Sequence, residues 1–512
     1  MSNPLFDALF GQHMGKTTPF LHLADGSIVT HDEFLQTTRR YANVLNQLGL
    51  RPGDRVAVQI EKSPQALAIY AACVQAGMVF LPLNTAYTPP EISYFLENSA
   101  AKLFICQSSL KDILTGITNQ TGTILQTLDA NGMGTFAELA QSASIEFTTV
   151  ERDGEDLAAL LYTSGTTGRS KGAMLSQNNL ISNAATLVDV WKFSAKDVLL
   201  HALPIFHTHG LFVATNVTLV AGGSMIFLNR FDLNTVIDSL PRASTMMGVP
   251  TFYTRLLSDP RFDANLSEHM RLFISGSAPL LAETHSAFQS RTGHTILERY
   301  GMTETNMNTS NPYEGERRAG TVGKPLPDIE LRITDLETGD ILPANEIGMI
   351  EVRGPNVFKG YWQMPKKTAE ELRTDGFFIS GDLGRIDMDG YVHIVGRTKD
   401  MIISGGYNIY PKEIELLLDG QQNVLESAVI GIPHPDFGET VVGILVAKDG
   451  AKLDLPAISE ALSISLARFK HPKKLVIISE LPRNAMGKVQ KNLLRNRYEG
   501  EMSEDVKDRI TK

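Results

Sequence analysis

Up to about residue 320 the chain alternates short apolar runs, rich in β-branched residues, with stretches of helical periodicity. Asp54–Ile60 (DRVAVQI) reads as a buried strand, with Ser63 as the cap and Pro64 as the first position of the helix that follows. Val79–Leu83 reads as a strand, Pro89–Asn98 as a helix and Lys102–Cys106 as a strand. The same rhythm returns in Asp197–Leu203, Gly210–Ala221 and Ser224–Leu228, and again in Ser244–Val249, Pro250–Ser258 and Arg271–Ser275. Strand–helix–strand alternation implies a parallel sheet with helices on its faces. After about Gly323 the texture changes. The runs IELRITD, GMIEVRG and GYVHIVGR alternate apolar and polar positions, as antiparallel strands with one solvated face do. From Thr398 the pattern predicts a compact set: helix Pro411–Leu418, strands Glu426–Ile432 and Val441–Ala447, helix Ile458–Arg468 and strand Leu475–Ile478. The expected architecture is α/β. Residues 1–396 form a large region of parallel and mixed sheets packed with helices, plus a β-rich subdomain, and residues 397–512 form a small, mobile α+β domain.

Composition narrows the function. The net charge of −10 argues against a nucleic-acid binder, which needs Lys and Arg to neutralise phosphates, but leaves room for a local basic patch around one anionic ligand. Cys73 and Cys106 lie in apolar runs, cannot make a disulfide framework and read as buried thiols of a reducing compartment. The opening MSNPLFDALF has no basic n-region. The longest apolar stretch, Ala66–Leu83, is interrupted by Gln75, Gly77 and Pro82 and falls short of the ~20 residues a bilayer span needs. A cytoplasmic protein without a membrane segment is expected.

Five segments carry candidate chemistry. Tyr162–Gly172 (YTSGTTGRSKG) follows a buried strand; its glycines let several N–H groups face one point, its hydroxyls add donors and Lys171 adds a charge, which together suit phosphate oxygens. The spacing is not that of a Walker A loop. In Tyr300–Thr305 (YGMTET), at a strand's carboxyl end, the aromatic could stack a base and Glu304 could hold Mg²⁺ against phosphate. Asp382 in SGDLG and Arg397 are hydrogen-bonding candidates for a ribose diol, and Gly405 and Gly406 permit close backbone approach to a ligand. Lys488, after Gly487, is a loop-borne cation. His207 and His209 have no Cys or carboxylate at ligand spacing, which makes a metal pair improbable.

In order along nearly the whole chain, YTSGTTGRSKG, PIFHTHG, GVP, SGSAPL, YGMTET, SGDLG, GRTKDMIISGGYNIYPKEIE and PRNAMGKVQK resemble the adenylate-forming superfamily of acyl-CoA synthetases, peptide-synthetase adenylation domains and luciferases. LPLNTAYT, GVPTFYTRLL and ERYGMTETNMNTSNPY look most like its malonyl-CoA synthetase branch. The resemblance implies ATP-dependent ligation of malonate to coenzyme A through malonyl-AMP, with Mg²⁺ and with ATP and CoA as substrates. It implies that Thr163, Ser164, Gly165, Thr166, Thr167, Gly168 and Lys171 hold the β- and γ-phosphates. Thr303 and Glu304 face the α-phosphate and metal, Tyr300 flanks the adenine, Gly301 is a further ATP-binding residue, and Asp382 and Arg397 hold the ribose. Lys488 stabilises charge as the acid attacks, and His207 gates an acyl pocket walled by Arg255 and Ser277. Gly405 and Gly406 line the CoA channel after a rotation about Lys399. Arg255, on the helix after GVP, is the residue expected to pair the second carboxylate of malonate. No nucleic acid and no membrane are expected as partners; a lysine acetyltransferase or deacetylase acting on Lys488 is. A short- or medium-chain acyl-CoA synthetase and a luciferase-like oxygenase would share the adenylation residues. A non-catalytic nucleotide-binding regulator would tolerate loss of Lys488 and Glu304, and both are present.

Overall fold

The computed structural model describes residues 2–163, 170–404, 407–434, 437–484 and 487–499. By their contacts they fall into two compact units, one of residues 1–331 and 352–378 and one of residues 332–351 and 379–512.

Two sheets organise the first unit among the described residues. One has six strands in the order Ile124–Thr127, Leu103–Cys106, Arg55–Gln59, Val79–Pro82, Leu157–Thr163 and Lys171–Ser176. Its first five strands run parallel and the last returns antiparallel. Ser63 caps the helix Pro64–Ala76, its Oγ accepting from the Ala66 N–H at 3.1 Å, and Gly77 ends that helix at φ +73°. That helix is buried nearly all round, so it lacks a polar face.

The other sheet has nine strands, and its middle is the parallel run Leu297–Met302, Leu272–Ser275, Thr245–Gly248, Val198–His201, Ser224–Phe227 and Pro19–His22. Asn306–Ser310 pairs antiparallel with Leu297–Met302. The segment expected as the helix Gly210–Ala221 is divided. His209–Thr215 is a π-helix and only Asn216–Ala221 is α. The reason is local: the Gly210 carbonyl accepts from the His201 ring at 2.8 Å and from the Thr215 hydroxyl at 2.9 Å, so side chains displace the α-register bond at that turn.

The second unit contains a five-stranded sheet built on the long antiparallel pair Val424–His434 and Gly438–Ala447, with Lys474–Ile478 parallel to the latter. Its faces are covered by Pro411–Asp419 with Leu455–Ser465 on one side and by Leu481, Leu494 and Tyr498 on the other. The helix expected at 458–468 starts earlier because Asp454 caps it, accepting from the Ala457 N–H at 3.1 Å. Strand Val392–Arg397, expected within GYVHIVGR, pairs antiparallel with Phe378–Ile386, a strand that the sequence pattern did not reveal. The expectation of an α/β fold with a β-rich part and a C-terminal α+β domain holds. No helix among the described residues is long and apolar enough to cross a membrane.

His13 and His31 stack in the first unit with ring centroids 4.1 Å apart. Burial, then the positive potential of His13 and Lys16, push the His31 imidazole down to about 3. The folded state therefore keeps this ring neutral while the unfolded chain protonates it below its ordinary value of 6.5. Its contribution to stability is intact above pH 6.5 and is lost progressively as the pH falls towards 3. Thermal melts at pH 7.5 and 5 should show a smaller acid-induced drop in His31→Phe than in wild type; equal drops would assign the acid sensitivity elsewhere.

Candidate active site

The first unit supplies one group of expected site residues. Strands Leu157–Thr163 and Lys171–Ser176 pair with Thr163 opposite Lys171, so both ends of the hydroxyl–glycine loop are fixed. Ser164, Gly165, Thr166, Thr167 and Gly168 lie outside the described residues. Lys171 is buried; its ammonium stands 3.2 Å from Glu371 Oε1 and 4.1 Å from the centroid of the Tyr361 ring. The Tyr361 hydroxyl lies 2.6 Å from Glu371 Oε2 and 3.1 Å from Glu304 Oε1. Burial alone would raise the Glu371 carboxyl, but the Tyr361 hydrogen bond and the Lys367 and Lys171 ammoniums outweigh it and hold it below the ordinary carboxylate range. Burial and these two carboxylates push the Tyr361 phenol up, so it stays protonated and can donate.

Thr303, Glu304 and Thr305 form the turn between Leu297–Met302 and Asn306–Ser310, at the carboxyl end of a strand, where α/β sheets bind ligands. The turn is tight. Asn306 adopts φ +51°, and a Cβ at Gly301 would stand 1.8 Å from the Asn306 carbonyl oxygen. From outside the turn, the Phe358 N–H donates to the Glu304 carbonyl at 2.8 Å and the Asn356 amide donates to the Thr305 carbonyl at 2.6 Å. Tyr300 is partly buried beside Met302. Mg²⁺ in nucleotide sites is commonly held by one or two carboxylates plus phosphate oxygens. Glu304, buried and braced by Tyr361, fits that role.

The acid side differs from expectation. Arg255 is exposed, with its guanidinium over the Phe231 ring at 5.9 Å. Tyr253 and Leu256 face the core of the same helix, so position 255 points away from it, and the expectation of a buried guanidinium there is corrected. Among the described residues the buried arginine is Arg299, which is 3% exposed. Its guanidinium occupies the space beside Gly276, where a Cβ would stand 2.4 Å from Cζ. Its Nε and Nη2 have no hydrogen-bond partner. Beside it Ser277, at φ +71°, meets His209 Nδ1 at 3.1 Å, and His209 Nε2 is buried without a partner. Burial lowers the Arg299 guanidinium to about 9, and burial, Arg299 and His207 hold the His209 ring well below its ordinary value. His207 is partly buried, its Nδ1 accepting from the His209 N–H at 3.3 Å. One signal in the sequence pointed to Arg299: a charged residue in TILERYGM, on a parallel strand that would ordinarily be apolar.

The second unit brings the remaining residues together. Asp382 and Arg397 are direct cross-strand partners, joined at 2.8 Å, with the Asp382 side chain only 4% exposed. Lys488 leaves a turn in which its N–H donates to Asn484 Oδ1 at 3.0 Å and Gly487 adopts φ +72°. Burial and the cations Arg397 and Lys399, opposed by Asp382 and Asp400, push the Lys488 amine down to about 8. Lys399 sits in the 3₁₀ turn Thr398–Asp400; burial and Arg397 lower it too. Gly405 and Gly406 lie outside the described residues.

The model of the AMP-binding enzyme family matches residues 10–362, and that of the AMP-binding enzyme C-terminal domain matches residues 413–488. The chain belongs to the AMP-binding enzymes. An ATP-bound crystal structure of MatB from Rhodopseudomonas palustris superposes with a TM-score of 0.95 at 55% identity, covering 98% of this chain and 99% of that one. The feruloyl-CoA synthase of an Amycolatopsis species is 36% identical over 477 residues, 92% of this chain and 94% of its own length. The malonate–CoA ligase of Arabidopsis thaliana is 33% identical over 500 residues, 91% of this chain and 81% of its own. This AMP-binding enzyme is an AMP-forming acyl-CoA synthetase, with ATP, CoA and a carboxylate as substrates.

Gly301→Ala should test how far the enzyme depends on the tight turn. Forcing a methyl group against the Asn306 carbonyl should cost about 1–3 kcal/mol or more and displace Thr303 and Glu304. ATP–pyrophosphate exchange should therefore fall by more than the loss of folded protein accounts for. Normal exchange at a normal melting temperature would show that the turn has room.

Proposed function

We propose that the acid activated by this ligase is malonate, and the observation that carries the reading is the lateral edge of Arg299. Nε and Nη2 are the two donors on one side of a guanidinium, the side that grips a carboxylate with two parallel bonds. On Arg299 both are buried and unpartnered. A dicarboxylate presents one carboxylate to the phosphorus and a second one methylene away; that second charge needs a fixed counter-ion to enter a buried pocket. Arg299 supplies it, with His209 and Ser277 alongside. Acetate and butyrate would leave the cation buried and unpaired, succinate would push its far carboxylate into the wall, and an aromatic acid such as ferulate would set an apolar ring against a charge. Malonate–CoA ligases of Arabidopsis thaliana and Xenopus laevis among the relatives support the same reading.

In the first half-reaction a malonate oxygen attacks the α-phosphorus of ATP and pyrophosphate leaves. Lys171 and the loop after Thr163 hold the outer phosphates, Thr303 orients the α-phosphate, Tyr300 flanks the adenine, and Asp382 with Arg397 holds the ribose. Glu304 would hold Mg²⁺, which when bound neutralises phosphate charge. The Lys488 ammonium stabilises the charge that develops as the oxygen attacks. In the second half-reaction the CoA sulfur, its proton lost, attacks the acyl carbon and AMP leaves. The domain of residues 397–512 turns about Lys399 between the two, with Gly405 and Gly406 lining the CoA channel and His207 closing the acyl pocket.

Arg299→Met tests the substrate. Removing one partner of a buried charge pair costs about 3–5 kcal/mol, so malonate-dependent pyrophosphate release should collapse by that equivalent. The ligand-free protein should melt no lower than wild type, because an unpaired buried cation has gone. Arg255→Ala should leave malonate use near wild type. Better activation of butyrate or ferulate than of malonate by wild type would defeat the reading.

Lys488→Ala tests the cation. Adenylation should fall ~10²–10³-fold, as when one preorganised contact is lost, while thioester formation from pre-made malonyl-AMP survives. In wild type the adenylation rate should decline as the pH rises through about 8, where the Lys488 amine loses its proton. Equal loss in both half-reactions would remove Lys488 from this role.

A further inference from the structure

Lys62 is a fully buried amine that the chemistry above does not use. It lies beyond the carboxyl end of strand Arg55–Gln59, just before the cap of the helix Pro64–Ala76, and is 7% exposed. Its Nζ meets His201 Nδ1 at 2.8 Å and the His201 carbonyl at 2.8 Å, over the face of Phe227 at 4.3 Å. The ring's partners fix its tautomer, because the Gly210 carbonyl facing Nε2 can only accept. An N–H from Lys62 to Nδ1 leaves the ring proton on Nε2, and Nε2–H then donates to the Gly210 carbonyl at 2.8 Å. The Thr215 hydroxyl donates to the same oxygen at 2.9 Å. Burial lowers both Lys62 and His201 well below their ordinary values, and two N–H groups of the Lys62 amine face two acceptors.

The Gly210 carbonyl is where the helix leaves α register. It belongs to the π-helix His209–Thr215, a Cβ at Gly210 would stand 2.0 Å from the Pro204 carbonyl oxygen, and the preceding residue is His209, whose ring reaches Ser277. The π turn, an uncommon element that concentrates at functional sites, thus connects a buried amine to the acid pocket.

We propose that Lys62 and His201 are positioning residues for the acid substrate, pinning the Gly210 carbonyl so that the π turn holds His209 in place beside Arg299. The proposal rests on the reading of Arg299, His209 and Ser277 as the pocket for the far carboxylate. The pin touches no substrate; it acts on the acid through His209 and leaves the nucleotide alone.

The test is a double-mutant cycle read in KM. Lys62→Met, of similar length without the N–H, should raise KM for malonate tenfold or more and leave KM for ATP within twofold. In a His209→Ala background the same substitution should change KM for malonate less than twofold, because the residue through which it acts has gone. In holoprotein labelled with ¹⁵N-histidine, wild-type His201 should show the Nε2–H tautomer and Lys62→Met should lose it. Equal effects of Lys62→Met in both backgrounds, an unchanged KM for malonate, or a wild-type His201 protonated on Nδ1 would each overturn the pin. Should Lys62→Met fail to fold, Thr215→Val removes the other side-chain donor to the Gly210 carbonyl and is read in the same cycle. Should wild type not activate malonate, the substrate reading falls, and the pin is decided by the tautomer and by the cycle run on the acid that wild type does activate.

Discussion

Burying a guanidinium without a counter-ion costs a protein stability, and the acid side of the first unit is arranged around Arg299, whose Nε and Nη2 stand unpartnered in that condition. Gly276 is a glycine because the guanidinium occupies the space of its Cβ. Ser277 takes a left-handed backbone and turns its hydroxyl to His209. His209 begins a π-helix that in turn departs from α register where His201 and Thr215 bond Gly210. Each of these is a local irregularity, and on the proposed reading together they shape a place for an anion at the cation. On the proposed reading, stability conceded there is returned when an anion of the right length binds.

The nucleotide side is organised differently. Lys171 is not left unpaired: Glu371 and the Tyr361 ring hold it, and Tyr361 connects Glu371 to Glu304. Cation, phenol and carboxylates form one hydrogen-bonded set, so on the proposed reading a phosphate at Lys171 would compete with an existing partner. The second unit gathers three cations, Arg397, Lys399 and Lys488, around Asp382, and burial together with the neighbouring cations pushes the Lys488 amine down to about 8. A cation poised in this way can respond to the charge that develops beside it.

The architecture was largely legible in the sequence. Ser63–Pro64 starts a helix because a hydroxyl cap and a fixed φ act locally, and strands such as Leu103–Cys106 are apolar runs of the right length. The glycines of YGMTET and SGSAP were visible, but what they accommodate was not, since it comes from elsewhere in the chain. The π turn could not be read from periodicity, because its cause, His201, lies on a different strand. Arg255 misled because family position outweighed helix phase; with Tyr253 and Leu256 facing inward, residue 255 points outward. Arg299 hid beside a motif, and only its burial without a partner separates it from other arginines.

The most direct measurement is a crystal structure with malonate and a non-hydrolysable ATP analogue. The far carboxylate should lie on the lateral edge of Arg299, its two oxygens about 2.7–2.9 Å from Nε and Nη2, with His209 alongside. A far carboxylate held by another residue, with that edge of Arg299 still unpaired, would contradict the proposed reading.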